Sequence, residues 1–270
     1  KPYNQGGKKE EVEQMFDQIA HSYDFLNHFF SLGIDIIWRK RAIRILKKYH
    51  PKKVLDVATG TADFALQAVK SKLNASSIVG VDISEGMLEV GRKKVKEAAF
   101  EQIIELRKGD SENLPFEDNF FDVVTLWHVL EHIPNIEEQI QELKRIIKPT
   151  GTIIVAVPNF KSFDAKYYGK YWAAYDVPRH LWHFSKTAIQ KLFAANKAID
   201  TDQGCVGWNA LPFAHNTLGV NDFAGQHGAT VHRELQNMHH LFAAIHFHVR
   251  ACGHKISAAL CFLGRFVIEQ

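Results

Sequence analysis

Only three cysteines, Cys205, Cys252 and Cys261, occur in the 270 residues, an odd and widely spaced set that excludes a disulfide framework and fits a reducing cytosol. Neither sign of charge dominates. Against 33 lysines and arginines stand 30 acids, and a net charge of +3 is too small to argue for a nucleic-acid partner. Long apolar runs are missing as well. The longest, from Ile256 to Ile268, is too short and too interrupted to span a bilayer, and no charged segment followed by an apolar one opens the sequence. Metal-ligand spacing is also lacking. The chain carries 15 histidines, eight of them after residue 200, yet none falls in an HExxH or a Cys/His zinc pattern with carboxylates at matching positions, so no metal site is expected.

What is present suits one enzyme-sized domain. With 46% hydrophobic and 23% charged side chains, a chain of this length can bury a sizeable core. Apolar residues at three- and four-residue intervals predict helices over 9–30 and 36–49. An alternation follows: strand 53–58, helix 62–72, strand 78–82, helix 85–98, strands 103–107 and 122–127, helix 135–147 and strand 152–157. Such alternation implies an α/β fold, a mostly parallel sheet with helices on both faces. Pro149-Thr150-Gly151 reads as the turn before strand 152–157, and Pro134 as an early residue of the helix before it. The stretch 161–179 is rich in Tyr and Trp without clear periodicity and reads as a cap or binding loop. A helix over 186–195 comes next, with last strands over 198–206 and 258–268 and a helix over 232–250 between them. The whole is organised as a single domain: a helical lid (1–50), a nucleotide-type core (51–158), and a cap with edge strands (159–270).

The core begins with the most informative segment, Val54-Leu55-Asp56-Val57-Ala58-Thr59-Gly60-Thr61-Ala62-Asp63-Phe64, followed at helix length by Ile78-Val79-Gly80-Val81-Asp82. Small residues at the turn let a ligand approach the backbone, the helix start offers unpaired N–H groups, and an acid closing the next strand can bind ribose hydroxyls. A diphosphate-binding turn has three spaced glycines, whereas here Gly60 stands between Ala58 and Ala62. Asp56 also repels phosphate and attracts a cation. The expected ligand is therefore a nucleoside without a diphosphate.

This pattern resembles motif I of the class I S-adenosylmethionine-dependent methyltransferases, which implies a Rossmann-like, seven-stranded sheet with an antiparallel edge strand. The resemblance implies S-adenosylmethionine as cofactor. It places Thr61 and the backbone around Gly60 at the methionine part, Asp82 at the ribose and Gly109-Asp110-Ser111 at the adenine, and counts Asp56, Ala58, Ile83, Met87 and Trp127 among the cofactor-binding residues as well. Thr59 and Thr61 alternatively serve only as caps of the following helix.

Over residues 1–121 the chain is similar to the demethylmenaquinone and ubiquinone C-methyltransferases, through Met15-Phe16-Asp17-Gln18-Ile19-Ala20, Tyr23-Asp24, Leu26-Asn27, Ser31-Leu32-Gly33, Trp38-Arg39 and the run from Asp82 to Arg92. Over 122–200, Trp127-His128-Val129-Leu130-Glu131-His132 and Val157-Pro158-Asn159 are more like general small-molecule (type 11) methyltransferases. In place of this segment the quinone enzymes usually carry an Arg-Asn pair. Two acceptors thus remain open, a prenylated quinol of the demethylmenaquinone kind and another small molecule, beside a third reading as a non-catalytic binding module. Phe16, Ile19, Tyr23, Leu26, Phe29, Phe30, Ile36 and Trp38 form an apolar face that either packs on the core or lines a tunnel for an isoprenoid tail. A tunnel would favour work at a membrane surface by a cytoplasmic protein. For the proton taken from a quinol hydroxyl, the candidate bases are Tyr23, His128, His132 and His180, the last from Pro178-Arg179-His180-Leu181-Trp182-His183-Phe184, with an ordered water as the alternative.

Overall fold

The computed structural model describes residues 8–31 and 34–195. Two helices, α1 (Lys8–Ser31) and α2 (Ile34–Leu46), precede the sheet. The core then runs β1 (Lys53–Val57), α3 (Asp63–Lys70), β2 (Ser77–Asp82), α4 (Glu85–Glu97), β3 (Ile104–Lys108), β4 (Phe121–Trp127), α5 (Ile136–Ile146) and β5 (Ile147–Ala156). The short α6 (Phe163–Tyr168) and then α7 (Lys186–Ala195) close the described chain. The expected strands over 198–206 and 258–268 and the helix over 232–250 lie outside the described residues.

The five strands are all parallel and lie in the order β3-β2-β1-β4-β5. Buried on both faces, β1 and β2 are nearly continuous in apolar residues, as parallel strands between two helical layers must be. Alternate side chains go to opposite layers. Leu55, Val57, Val124 and Leu126 pack with Ile140 and Leu143 of α5 and Phe193 of α7. Val54, Ile78 and Val123 face the other way, onto Ile43 of α2, Ala65 of α3 and Leu88 of α4. Helix α5 holds its place through Ile136, Ile140 and Leu143, all buried on one stripe. Chain order leaves β1 toward β2 and β3, then returns to β4 on the other side. The crevice beyond the carboxyl ends of β1 and β4 is therefore the topological switch point, where open α/β sheets place their ligands.

Two local predictions shift. Pro149-Thr150-Gly151 does not precede β5 but sits inside it as an irregularity. Phe121 pairs with Ile147 and Val123 already with Thr152, so the intervening residues are looped out of the ladder. Proline is tolerated there because a bulge asks for no ladder N–H. Asp122 anchors the spot: it accepts the backbone N–H groups of Lys52 and Lys53, both at 2.8 Å, and pairs with Lys148 at 2.6 Å. Pro134 likewise stands before the helix, ahead of the cap residue Asn135.

Sheet and turn meet at Gly80. A Cβ there would come within 2.7 Å of Leu106 Cδ2 and of Thr59 Cγ2. Thr59 cannot swing aside freely, because its hydroxyl donates to Asp56 at 2.7 Å. Gly80→Ala is expected to cost about 1–3 kcal/mol through overpacking. A urea melt with an unchanged midpoint would contradict this packing.

Candidate active site

The turn after β1 is built from left-handed residues. Ala58, Gly60 and Ala62 have φ of +55°, +57° and +63°. Each alanine there bears a backbone strain that glycine avoids, a cost that persists only where the surroundings hold the chain. They are held. Thr59 N–H donates to Val81 O and Ala62 N–H to Thr59 O, both at 3.0 Å. Asp82, ending β2, accepts the Gly60 N–H on one carboxylate oxygen at 2.7 Å and the Ser84 N–H on the other at 2.9 Å. One buried carboxylate thus ties the β1 turn to the start of α4. Burial pushes Asp82 above the ordinary carboxylate range, against the backbone donors that lower it.

Asp56 forms the floor. Its carboxylate accepts the hydroxyls of Thr59 and Thr125, both at 2.7 Å, and the indole N–H of Trp127 at 3.1 Å. The side chain is 1% exposed, and burial raises it to about 6 despite these three donors. The Trp127 ring lies 5.2 Å from that of Phe64, which keeps this wall apolar.

Helix α1 supplies two acids that sequence reasoning did not place at the site. Asp17 accepts from the Ser84 hydroxyl at 2.6 Å and from Gly86 N–H at 2.9 Å, while Ser84 caps α4 by accepting Met87 N–H at 3.1 Å. Asp24 accepts the Thr61 hydroxyl at 2.5 Å and the Lys94 ammonium at 2.6 Å, and Lys94 also bridges to Asp63. Thr61 is thus engaged by α1 rather than only facing the turn. No local motif announces these contacts, since the partners are 37 to 70 residues apart. Met87 reaches the turn, its Cε 3.7 Å from where a Cβ on Gly60 would sit. Ile83 is half-buried just beyond Asp82.

The third acidic segment hangs on the second. Gly109 N–H donates to Asp82 O at 3.0 Å, which brings Asp110 and Ser111 to the same edge. Asp110 accepts Glu112 N–H at 3.0 Å, and Ser111 O accepts the Gln139 amide at 2.8 Å. Arg145 of α5 secures the following residues by donating to Leu114 O and Phe116 O.

The predicted bases divide. The structure gathers His128, His132 and His180 around Glu131 at the exit of β4. Glu131 is 1% exposed, with one oxygen 3.2 Å from His128 Nδ1 and the other without a hydrogen-bond partner among the described residues. The cap returns here because the Leu181 N–H donates to Glu131 O at 2.7 Å, and Asn159 bridges to Phe184 at the root of the loop. Burial, the largest effect on Glu131, opposes ionisation. The His128 hydrogen bond and the three imidazoles nevertheless hold it below the ordinary glutamate range. His180 is driven down to about 4, mainly by burial. Tyr23 is not part of this group. It lies by Arg39, Asp63 and Asp24, and burial pushes its phenol above its ordinary value, leaving it protonated at neutral pH.

The donor set fits S-adenosylmethionine better than a dinucleotide. Asp17, Asp56 and Asp82 surround the turn, with Asp24 paired to Lys94 beside them, an acidic field that suits a sulfonium and an ammonium and repels a diphosphate. Backbone N–H groups of Gly60, Ser84 and Ile83 orient the Asp82 carboxylate, whose oxygens have four lone-pair sites between them and can also accept a ribose hydroxyl.

Comparison with known proteins agrees with the geometry. The demethylmenaquinone methyltransferase of Bacteroides fragilis is 44% identical over 156 residues, 57% of this chain and 63% of that protein. That of Porphyromonas gingivalis is 36% identical over 172 residues, 63% of this chain and 70% of the relative. The ubiquinone/menaquinone biosynthesis C-methyltransferase UbiE of Geotalea daltonii is 35% identical over 180 residues, 66% and 70% of the two chains. The chain thus spans less than two thirds of the length of the first of these relatives. A family model described as the ubiE/COQ5 methyltransferase family matches residues 4–180, running through β4 and into the cap, and the chain belongs to that family.

Proposed function

We propose that the chain is an S-adenosylmethionine-dependent C-methyltransferase whose acceptor is a prenylated quinol of the demethylmenaquinone kind. The observation that carries the donor is the acid-lined, single-glycine turn with Asp56 beneath it and Asp82 across it. The names of the relatives support the acceptor. When bound, the cofactor supplies a methyl group on a sulfonium. The chain then has to align the acceptor, exclude water and take a proton.

Asp82 and the Asp110 segment orient the nucleoside, while Asp56, behind Trp127 and Phe64, favours positive charge in a dry pocket. Removing a hydroxyl proton from a quinol raises electron density on the adjacent ring carbon, the carbon to be alkylated. His128 is the proton acceptor this reading favours. Glu131 faces its Nδ1 at 3.2 Å, which keeps the proton on that nitrogen and presents Nε2 as the basic one. His132 and His180 have their Nδ1 atoms on backbone carbonyls and stand behind it.

Work at a membrane surface on the cytoplasmic side belongs to the same proposal. No helix among the described residues is long and apolar enough to cross a membrane. The cap exposes Phe163, Tyr167 and Tyr171, the last 76% exposed, close in sequence to Lys166 and Lys170. Aromatic rings beside lysines suit a headgroup boundary, from which a prenylated acceptor is drawn.

A labelled-methyl assay over demethylmenaquinol analogues and polar acceptors tests the acceptor: label is expected in the quinol ring, and transfer only to polar acceptors would refute it. His128→Gln is expected to lower turnover by about tenfold or more with cofactor affinity unchanged. Asp82→Asn removes a charge-assisted contact and is expected to weaken cofactor binding by about tenfold to a hundredfold in calorimetry. Asp56 sets the pH dependence. A bound cation favours the ionised carboxylate, so affinity should be full above about 6 and fall, by at most about tenfold per unit, as pH drops below it. For the free protein the sign reverses. The folded state holds this proton more tightly than the unfolded chain, so Asp56 detracts from stability above about 6 and ceases to do so toward its ordinary 3.8.

A further inference from the structure

From the cluster at the exit of β4 we infer that Glu131, His132 and His180 form a binding site for one divalent first-row metal ion. The three residues each offer one ligating atom, and these atoms all lie within 4.8 Å of one another. Tetrahedral ligands of such an ion stand about 3.4 Å apart, given metal–ligand distances near 2.1 Å, so the cluster closes on a metal by small side-chain rotations.

Three independent features prepare it. The Glu131 oxygen that does not face His128 is buried and has no hydrogen-bond partner among the described residues, an arrangement native proteins avoid unless something else meets the charge. Both imidazoles are oriented through Nδ1, His132 against Arg179 O at 3.2 Å and His180 against Ala174 O at 2.8 Å. A carbonyl at Nδ1 requires the proton there and makes Nε2 the ligating nitrogen, the tautomer-fixing arrangement seen behind metal-bound histidines. The rings also lie edge to face with centroids 4.7 Å apart, which keeps the two imidazoles side by side next to Glu131. The backbone bond from Leu181 to Glu131 fixes the cap histidine against the strand-exit pair.

Two imidazoles and one carboxylate suit zinc, cobalt, manganese or ferrous iron, and leave at least one position for an oxygen donor. Sequence spacing hides the site, because His180 is 48 residues beyond His132. Only the pair His128 and His132 at the end of a buried strand stood out in the sequence; the role of Glu131 emerges with its burial.

The test is titration of the metal-stripped full chain with Co²⁺, followed by its visible ligand-field absorption and by metal analysis after gel filtration. It reads separately from methyl transfer and from the choice of acceptor. Eight further histidines lie after residue 200, so the informative quantity is the difference between variants. One equivalent with low-symmetry bands is expected in the wild type. That equivalent is lost or weakened about tenfold or more in Glu131→Gln and His180→Gln. It stays intact in His183→Ala, whose exposed ring meets Tyr175 through the backbone carbonyl and edge to face with the phenol ring, outside the cluster of three ligands. His132→Gln, at a half-buried position, supplies the same loss should the buried variants fail to fold, as judged by circular dichroism. Absent bands in the wild type, or bands unchanged in a folded ligand variant, would overturn the inference.

Discussion

Everything at the carboxyl edge of the sheet depends on burying two aspartates without giving either, among the described residues, a cation of its own. Asp82 is satisfied by backbone N–H groups and Asp56 by two hydroxyls and an indole. Hydrogen bonds of this kind stabilise the ionised form, yet burial outweighs them at both residues. A cleft left in that condition has an unmet preference for positive charge. That preference separates a sulfonium nucleoside from a dinucleotide, and the left-handed turn through Gly60 is the frame that holds the acids in place.

The amino-terminal helix extends the same logic. Through Asp17 it completes the cap of α4, and through Asp24 it joins Lys94 and the Thr61 hydroxyl. Partly exposed pairs of this sort contribute little stability singly. Their effect is positional. They seat α1 over the turn and add two carboxylates to its rim, so the helix that the sequence marked as a lid also shapes the electrostatics of the pocket.

What could be read from the sequence follows from the range of the interactions. The β1 turn and β2 were legible because continuous apolar runs, small turn residues and strand-end acids all fall within about one βαβ unit. The six longer helices among the described residues were located to within a few residues for the same reason, as apolar periodicity is local, whereas the short α6 fell in a stretch read as a loop. Contacts across long separations were not legible. Asp17 and Asp24 bear no mark that assigns them to α4, and the looped-out residues of β5 depend on an ion pair between Lys148 and Asp122, adjacent only in the folded sheet. At the exit of β4 the histidines drew notice, whereas Glu131, the residue that organises them, is an unremarkable acid until its burial is known.

Calorimetric titration with S-adenosylmethionine, repeated in saturating NAD, tests the central claim most directly. The account predicts binding of one equivalent with the same affinity in both titrations, since the acidic turn admits the sulfonium nucleoside and rejects the diphosphate. Displacement by NAD, or no binding of S-adenosylmethionine at all, would contradict it.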